Sequence, residues 1–422
     1  MTPHFTTLLL QIGVILVLAR ALGWIFHRFH QPRVVGEMAA GILLGPSLLG
    51  WIAPGAASTL FPEGSLEPLR VLSQIGLILF MFLVGLELDT RGLRGRGRAV
   101  VVTSYFGILA PFLLGILLAF HLYTRLSDPG VKFTHFALFL GTAMSITAFP
   151  VLARILTERD LLQSRVGTVA IACAAADDVT AWHLLAAVVL LTRAAGLSFP
   201  FWMAALGSLA TIVLLWLVAR PALRGLGAIY RRRGTVTPDL LALILLIMLA
   251  CAWATERLGI HAVFGAFLAG AILPKERGFV EAVSEKLKDL TVVLLLPLFF
   301  AFTGLRTSIG LLSGPALWID CVLVIAVATA GKFGGVSLAA RLTGSGWREA
   351  AALGILMNTR GLMELVILNV GRDVGVISAP LFAMMVLMAL VTTFLTTPLL
   401  EWFYPLRLRH SDLQPAGAVR AP

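Results

Sequence analysis

Apolar residues fill this chain in long continuous runs, each closed by a short polar or basic connection. The runs do not alternate at period two, so barrel strands are not indicated. Their lengths approach the ~20 residues with which a helix crosses a bilayer. Thirteen runs are read: 5–26, 34–51, 71–89, 99–123, 133–156, 166–192, 199–219, 239–255, 260–274, 289–305, 315–340, 349–371 and 379–403. Two of them, 34–51 and 260–274, are short and glycine-rich. The pattern predicts an all-α polytopic membrane protein with about 13 transmembrane helices. The basic stretch from Arg220 to Asp239 is its clearest internal linker, and 404–422 forms a short polar tail.

Composition agrees with that reading. Of 422 residues, 59% are hydrophobic and 13% charged, about half the charge of an ordinary soluble domain. A soluble enzyme is excluded. The net charge of +11 comes from basic residues in alternate connections. Arg91, Arg94, Arg96 and Arg98 share one, Arg231, Arg232 and Arg233 another, and Lys275, Arg277, Lys286 and Lys288 a third. Such clustering marks the cytoplasmic side, placing the N-terminus outside and the tail inside. The charge therefore speaks of orientation in a lipid bilayer, not of nucleic acid. Cys173, Cys251 and Cys321 all lie inside apolar runs, where their spacing suggests neither a disulfide framework nor a metal site. The run from Phe5 to Phe26 is long enough to span and reads as mature structure rather than a leader.

The chain also repeats itself. LFMFLVGLELDT (79–90) aligns with LFFAFTGLRTSI (298–309), matching Gly85 to Gly304 and Leu86 to Leu305. GEMAAGILLGP (36–46) resembles GAFLAGAILP (265–274), matching Gly36 and Gly41 to Gly265 and Gly270. Both pairs lie seven segments apart, and an odd shift means that the halves enter the membrane in opposite senses. An inverted repeat is expected, with 5–192 as its first half, 199–219 as a linker helix and 239–403 as its second half. Such repeats typify secondary transporters, so 1–422 reads as one membrane transporter domain with its site near mid-membrane.

Chemistry concentrates at a few polar residues in apolar surroundings. Asp177 and Asp178 sit mid-way along segment six, roughly 18 Å into the helix at ~1.5 Å per residue. A single Asp there costs about 2.5–3.5 kcal/mol to insert, so two adjacent ones point to a proton and cation site. Low dielectric and mutual repulsion let such a carboxyl hold a proton at one pH and a metal cation at another. Carboxylate oxygens suit hard alkali cations. Lys332, between apolar residues and glycines in segment eleven, needs a partner at that depth. Snorkelling to the interface is the plainer alternative to an ion pair with one aspartate.

Segments five and twelve read as interrupted. Thr142, Ser145 and Thr147 precede Pro150 in the first, and Asn358, Thr359, Arg360 and Gly361 interrupt the second. Unwound backbone survives at membrane depth only inside protein or beside a wet cavity. Paired breaks in corresponding halves point to a transport site, although a lone proline kink is usually structural. Arg360 is one turn from Glu364 and is expected to pair with it or to offset the broken helix ends. Glu37 and Arg20 suit an interfacial pair, Arg154 a snorkelling position, and Glu87 and Asp89 a membrane face. His183 and His261 suit packed or interfacial positions.

At these residues the chain resembles the cation:proton antiporter superfamily, in the branch of Kef-type, Nap-type and plant cation/proton exchangers (monovalent cation:proton antiporter-2). The resemblance rests on PRVVGEMAAGILLGPSLLG (32–50), FMFLVGLELD (80–89), SITAFPVLARIL (145–156), AAADDVTAWHLLA (174–186), LPLFFAFTGLRT (296–307) and MNTRGLMELVILNVG (357–371), in family order. It implies a thirteen-helix, NhaA-like fold with two crossed discontinuous helices, a dimerisation domain and a mobile core. It also implies a homodimer and an elevator-like movement. Asp178 would be the main ion-binding carboxylate, and Asp177 the partner of Lys332. The expected activity is exchange of sodium or potassium for protons in a bacterial inner membrane, with no cofactor and no enzymatic chemistry.

Two departures bear on this. Kef-type members carry a soluble nucleotide-binding domain, and none is read in this sequence. Many relatives have Gln or Asn where Asp177 stands, and an acidic pair goes with electrogenic exchange in the family. A symporter of the bile-acid type is the rival on the same fold, but it has no need of two acids beside a mid-membrane lysine. No TVGYG-like filter suggests a channel.

Overall fold

The computed structural model describes residues 3–29, 31, 33–62, 64–87, 97–159, 161, 164–193, 220–257 and 262–404. All its regular elements are helical. In chain order they are α1 (Pro3–Arg28), α2 (Arg33–Leu44), α3 (Leu49–Ile52), α4 (Pro54–Leu60), α5 (Leu66–Glu87), α6 (Gly97–Leu126), α7 (Phe133–Ser145), α8 (Phe149–Glu158) and α9 (Arg165–Arg193). There follow α10 (Arg220–Arg233), α11 (Pro238–Arg257), α12 (Ala262–Ile272), α13 (Arg277–Leu290), α14 (Leu296–Leu305), α15 (Pro315–Leu342), α16 (Trp347–Met357), α17 (Leu362–Asp373) and α18 (Ala379–Phe403). Among the described residues eight helical stretches are long and apolar enough to cross a membrane, and α7 and α12 are shorter apolar helices. The expected linker helix 199–219, Asp89, His261 and the tail beyond Tyr404 lie outside the described residues.

The chain divides into two compact units, each drawing on both halves of the sequence. The first comprises Met1–Ala21, Glu37–Thr90 and Ala186–Thr307. Its close crossings fall on glycines that the sequence alignment pairs. A β-carbon on Gly85 of α5 would lie 2.1 Å from the Phe267 carbonyl oxygen on α12, and one on Gly270 would lie 2.1 Å from that of Phe82. The same exchange recurs between α2 and α14, where Gly41 abuts the Phe300 carbonyl and Gly304 abuts Gly41. Segments three and nine thus meet as segments ten and two do, each crossing needing glycine on both helices. Lys275 donates to the carbonyls of Gly85, Leu86 and Gly270, capping the C-terminal ends of α5 and α12 with positive charge.

Arg20 also serves backbone. Pro297 has no N–H to offer the carbonyl four residues earlier, and a π-turn over Thr291–Leu295 joins α13 to α14 at that point. The carbonyl in question, Val293, accepts from Arg20 at 3.0 Å. Glu87 lies close to Lys288 (3.8 Å) and Ser284 (3.4 Å).

The second unit comprises Leu22–Gly36, Arg91–Leu185 and Ser308–Pro422. Its long helices α6 and α15 pack against each other. At one end the buried Asp320 of α15 accepts from Arg125 at 3.1 Å and lies 3.0 Å from the ring of His121, fastening the pair. Val151, Leu152 and Leu156 of α8 share an apolar core with Ala170 and Cys173 of α9 and with Leu353, Leu356 and Met357 of α16. This core leaves α7–α8 and α16–α17 as two interrupted helices inside the unit.

Candidate functional site

The first interruption follows from Pro150. Proline cannot donate to the carbonyl four residues back, and its ring collides with it. That residue is Ile146, which is extended (φ −87°, ψ 139°) and ends α7. The sequence suggested a wider break. Thr142 and Ser145 remain helical in the last turn of α7 and Pro150 lies in the first turn of α8, so only Ile146, Thr147 and Ala148 are unwound. The second interruption runs from Asn358 to Gly361, between α16 and α17. Asn358 caps α16 in the bridge region (φ −81°, ψ 4°), while Thr359 and Arg360 are non-helical. The two breaks touch directly. The Ala148 N–H donates to the Thr359 carbonyl at 3.0 Å, and a β-carbon on Gly361 would lie 2.8 Å from Val151.

Five charged side chains collect around this crossing, all within the second unit and all essentially buried. Asp177 and Asp178 on α9 are 1% and 2% exposed, Lys332 and Arg360 0%, and Glu364 1%. Lys332 Nζ lies 2.6 Å from Asp177 Oδ2 and also donates to the Ser145 carbonyl at 2.6 Å. Thr147 donates to the same Asp177 Oδ2 at 2.9 Å and contacts the Met357 carbonyl at 2.8 Å. Ser104, on α6, donates to Asp177 Oδ1 at 3.0 Å. Asp177 therefore receives donors from three elements outside its own helix.

Arg360 forms the second buried pair. It reaches Glu364 at 2.9 Å and donates to the carbonyls of Ala143 (2.9 Å) and Met144 (2.5 Å). Together Arg360 and Lys332 satisfy three carbonyls at the C-terminal end of α7, where backbone partners are lost and partial negative charge accumulates. Thr142 donates to its own helix at Leu138, and Ser145 does so at Thr142.

Asp178 differs from its neighbour. Neither carboxylate oxygen has a hydrogen-bond donor among the described residues. The Phe149 N–H, at the start of α8, faces it without meeting hydrogen-bond geometry. With Lys332 committed to Asp177 and Arg360 to Glu364, two cations are matched to two carboxylates and Asp178 is the surplus one. A buried bare carboxylate is costly, which makes Asp178 the candidate exchanging group.

The structure thus brings together Asp177, Asp178, Lys332, Thr147, Arg360 and Glu364, with Thr142 and Ser145 just before the first break and Asn358 and Thr359 within the second. Glu37 is buried in α2 and belongs to the first unit. His183 is exposed on α9. Sequence reasoning missed Ser104, one of three consecutive hydroxyl residues, Thr103, Ser104 and Tyr105, in the apolar run VVTSYFGILAP, with no local feature to single it out.

Comparison with known proteins now has a site to refer to. The family model described as "Sodium/hydrogen exchanger, transmembrane" matches residues 13–403. The Na(+)/H(+) antiporter NhaS4 of Synechocystis is 45% identical over 407 residues, spanning 96% of this chain and 98% of that protein. Cation/H(+) antiporter 18 of Arabidopsis thaliana is 41% identical, spanning 94% of this chain and 49% of its own length. K(+)/H(+) antiporter 1 of Saccharomyces cerevisiae is 35% identical, spanning 95% and 46% respectively. The chain therefore spans about half the length of these plant and yeast relatives. The structure of the sodium proton antiporter MjNhaP1 from Methanocaldococcus jannaschii at pH 8 superposes with a TM-score of 0.66 at 16% identity, over 98% of this chain and 100% of that one. That likeness carries the fold: a multi-pass helical membrane protein. The extent of the family match and the identity to the cyanobacterial relative together place this chain in the sodium/hydrogen exchanger family.

Proposed function

We propose that the protein exchanges a monovalent cation, sodium or potassium, for protons across a bacterial inner membrane, with Asp178 as the exchanging ligand. The observation that carries this reading is the surplus carboxylate: Asp178 is buried, lacks any donor among the described residues, and stands beside a crossing of two broken helices. A proton neutralises it in one half of the cycle and an alkali cation in the other. A carboxylate oxygen is a hard ligand that suits either cation. Membership of the exchanger family supports the reaction, and the names of the relatives keep both cations in view.

Asp177 and Lys332 are the second proton-linked element in this reading. Lys332 also donates to the Ser145 carbonyl, so its ammonium keeps one hydrogen-bond acceptor when Asp177 takes a proton. Exchange is then electrogenic, with more than one proton per cation. The finer architecture is proposed as about 13 spans in an NhaA-like inverted repeat, with halves 5–192 and 239–403 joined by 199–219. The reciprocal glycine crossings support that symmetry. The proposal is completed by elevator-like alternating access, a homodimer, an outside N-terminus and a cytoplasmic tail at 404–422. Proteoliposomes loaded with a pH-sensitive dye test the reaction. Sodium or potassium pulses should move protons between about pH 6 and 9, and no movement with either ion defeats the proposal.

A further inference from the structure

We infer that Thr393 of α18 is a positioning residue of the exchange site, locking the second break open and so aiming Arg360 at the end of α7. The inference rests on the exchange reading above and adds a residue and a helix to it. Thr393 is buried and uses one hydroxyl oxygen twice. It accepts from the Arg360 backbone N–H at 2.9 Å and donates to the carbonyl of the same residue. Its neighbours on α18 behave differently. Thr392 donates to the Met388 carbonyl and Thr396 to that of Thr392, each within its own helix, as hydroxyls in apolar helices commonly do. Thr393 donates instead to another element.

In an α-helix the N–H and C=O of one residue point toward opposite ends of the axis, so a single oxygen cannot bond both. Arg360 is non-helical and turns the two groups to the same hydroxyl. The contact therefore exists only while the break exists. Without it two buried backbone groups lose a partner, and the nearest remedy is to resume the helix, with the Arg360 N–H directed at the Leu356 carbonyl. That rotation would carry the Arg360 side chain away from the carbonyls of Ala143 and Met144, which it now holds. Thr393 thus acts from the second break on the first, through Arg360. Water entering from a cavity of about 260 Å³ beside Asn358, Thr392 and Thr396 is the competing way to satisfy Arg360.

The purified full chain in dye-loaded proteoliposomes is compared as wild type, Thr393→Val, Thr393→Ser, Arg360→Lys and the double variant Thr393→Val with Arg360→Lys. Valine keeps the shape of threonine and loses the hydroxyl. It should raise the apparent KM for the cation about tenfold, the equivalent of one buried hydrogen-bonding group left unsatisfied. The maximal rate should stay within about threefold of wild type, since Asp178 is untouched. Thr393→Ser restores the hydroxyl and should bring KM back to within about twofold of wild type. The double variant should be no more than about twofold worse than Arg360→Lys alone, because both changes act through one side chain. An unchanged KM in Thr393→Val overturns the inference, and is the result expected if water takes over from the hydroxyl. A serine variant as damaged as the valine one overturns it too, as do effects that simply multiply in the double variant. If Thr393→Val does not fold in detergent, Thr393→Cys takes its place; its weaker thiol donor should give a smaller rise in KM, and no rise overturns the inference. The same cycle read by thermal melting needs no transport. A wild type that exchanges nothing therefore defeats the exchange reading, while the melting cycle still decides whether Thr393 works through Arg360.

Discussion

The two interrupted helices have matching designs but are held in opposite ways. The break at Ile146–Ala148 ends α7 with three carbonyls, of Ala143, Met144 and Ser145, that accept from cations on other elements, Arg360 and Lys332. The break at Asn358–Gly361 is held by neutral groups. Thr359 donates to the Leu356 carbonyl, Thr393 bonds both the N–H and the carbonyl of Arg360, and Thr147 contacts the Met357 carbonyl. Both cations also carry a carboxylate each, so the first break is tied directly to the charge state of the site, and the second only through the Thr147 hydroxyl. The two breaks resemble each other; their electrostatics do not. Cation and proton chemistry should therefore be sensitive to the first break and largely indifferent to the second.

The largest effect expected is on Asp178, which faces the start of α8 just beyond the first break. Asp178→Asn keeps the volume but supplies neither a titratable oxygen nor a charge, so coupled exchange should vanish while the protein still inserts and melts cooperatively. Full exchange by a folded variant would sink the assignment. Next come Asp177 and Lys332. Removing either alone leaves a buried charge unmatched, at about 3–5 kcal/mol. Asp177→Asn combined with Lys332→Met should cost clearly less than the two singles together in thermal melting. Strict additivity would mean that the pair does not meet in the working protein.

Much of this site was legible in the sequence because membrane burial makes charge conspicuous. Asp177, Asp178, Lys332, Arg360 and Glu364 stand out against apolar runs, and each is buried in the structure. The breaks were announced by Pro150 and by Asn-Thr-Arg-Gly, although the first proved narrower, because proline disrupts the carbonyl four residues back and leaves Thr142 and Ser145 in a helix. What could not be read was long-range and polar but uncharged. Ser104 meets Asp177 across 73 residues, and Arg20 meets a carbonyl near Pro297 across 273. Neither choice is visible in local period or composition, since any of several hydroxyls or carbonyls would satisfy the same local rule.

Arg360 offers a sharper test of the comparison, because it belongs by sequence to the second break and by contact to the first. Arg360→Lys keeps the charge but has one nitrogen to cover Glu364 and two carbonyls. Melting stability should fall by about 2–4 kcal/mol, with carbonyls of α7 left unsatisfied. Loss of the second break alone, with α7 undisturbed in cysteine-accessibility mapping, would contradict the assignment of Arg360 to the first.

The smallest effects come from a matched pair of hydroxyls, one in each break. Thr359 donates to the Leu356 carbonyl, which also accepts the Thr359 backbone N–H, so that carbonyl keeps a partner when the hydroxyl is removed. Thr359→Val should cost about 1 kcal/mol or less in melting, and leave the pH profile of exchange unmoved. Thr147 donates to Asp177 Oδ2 itself. Thr147→Val should cost a similar amount in stability, yet move the pH of half-maximal exchange, because an anion at the site has lost a donor. The two variants differ by the same atoms at corresponding positions, so general packing damage would affect them alike. A pH profile displaced equally by both would show that the second break is as tightly coupled to the site as the first. A profile displaced by Thr147→Val alone assigns the coupling to the break whose carbonyls Lys332 and Arg360 hold.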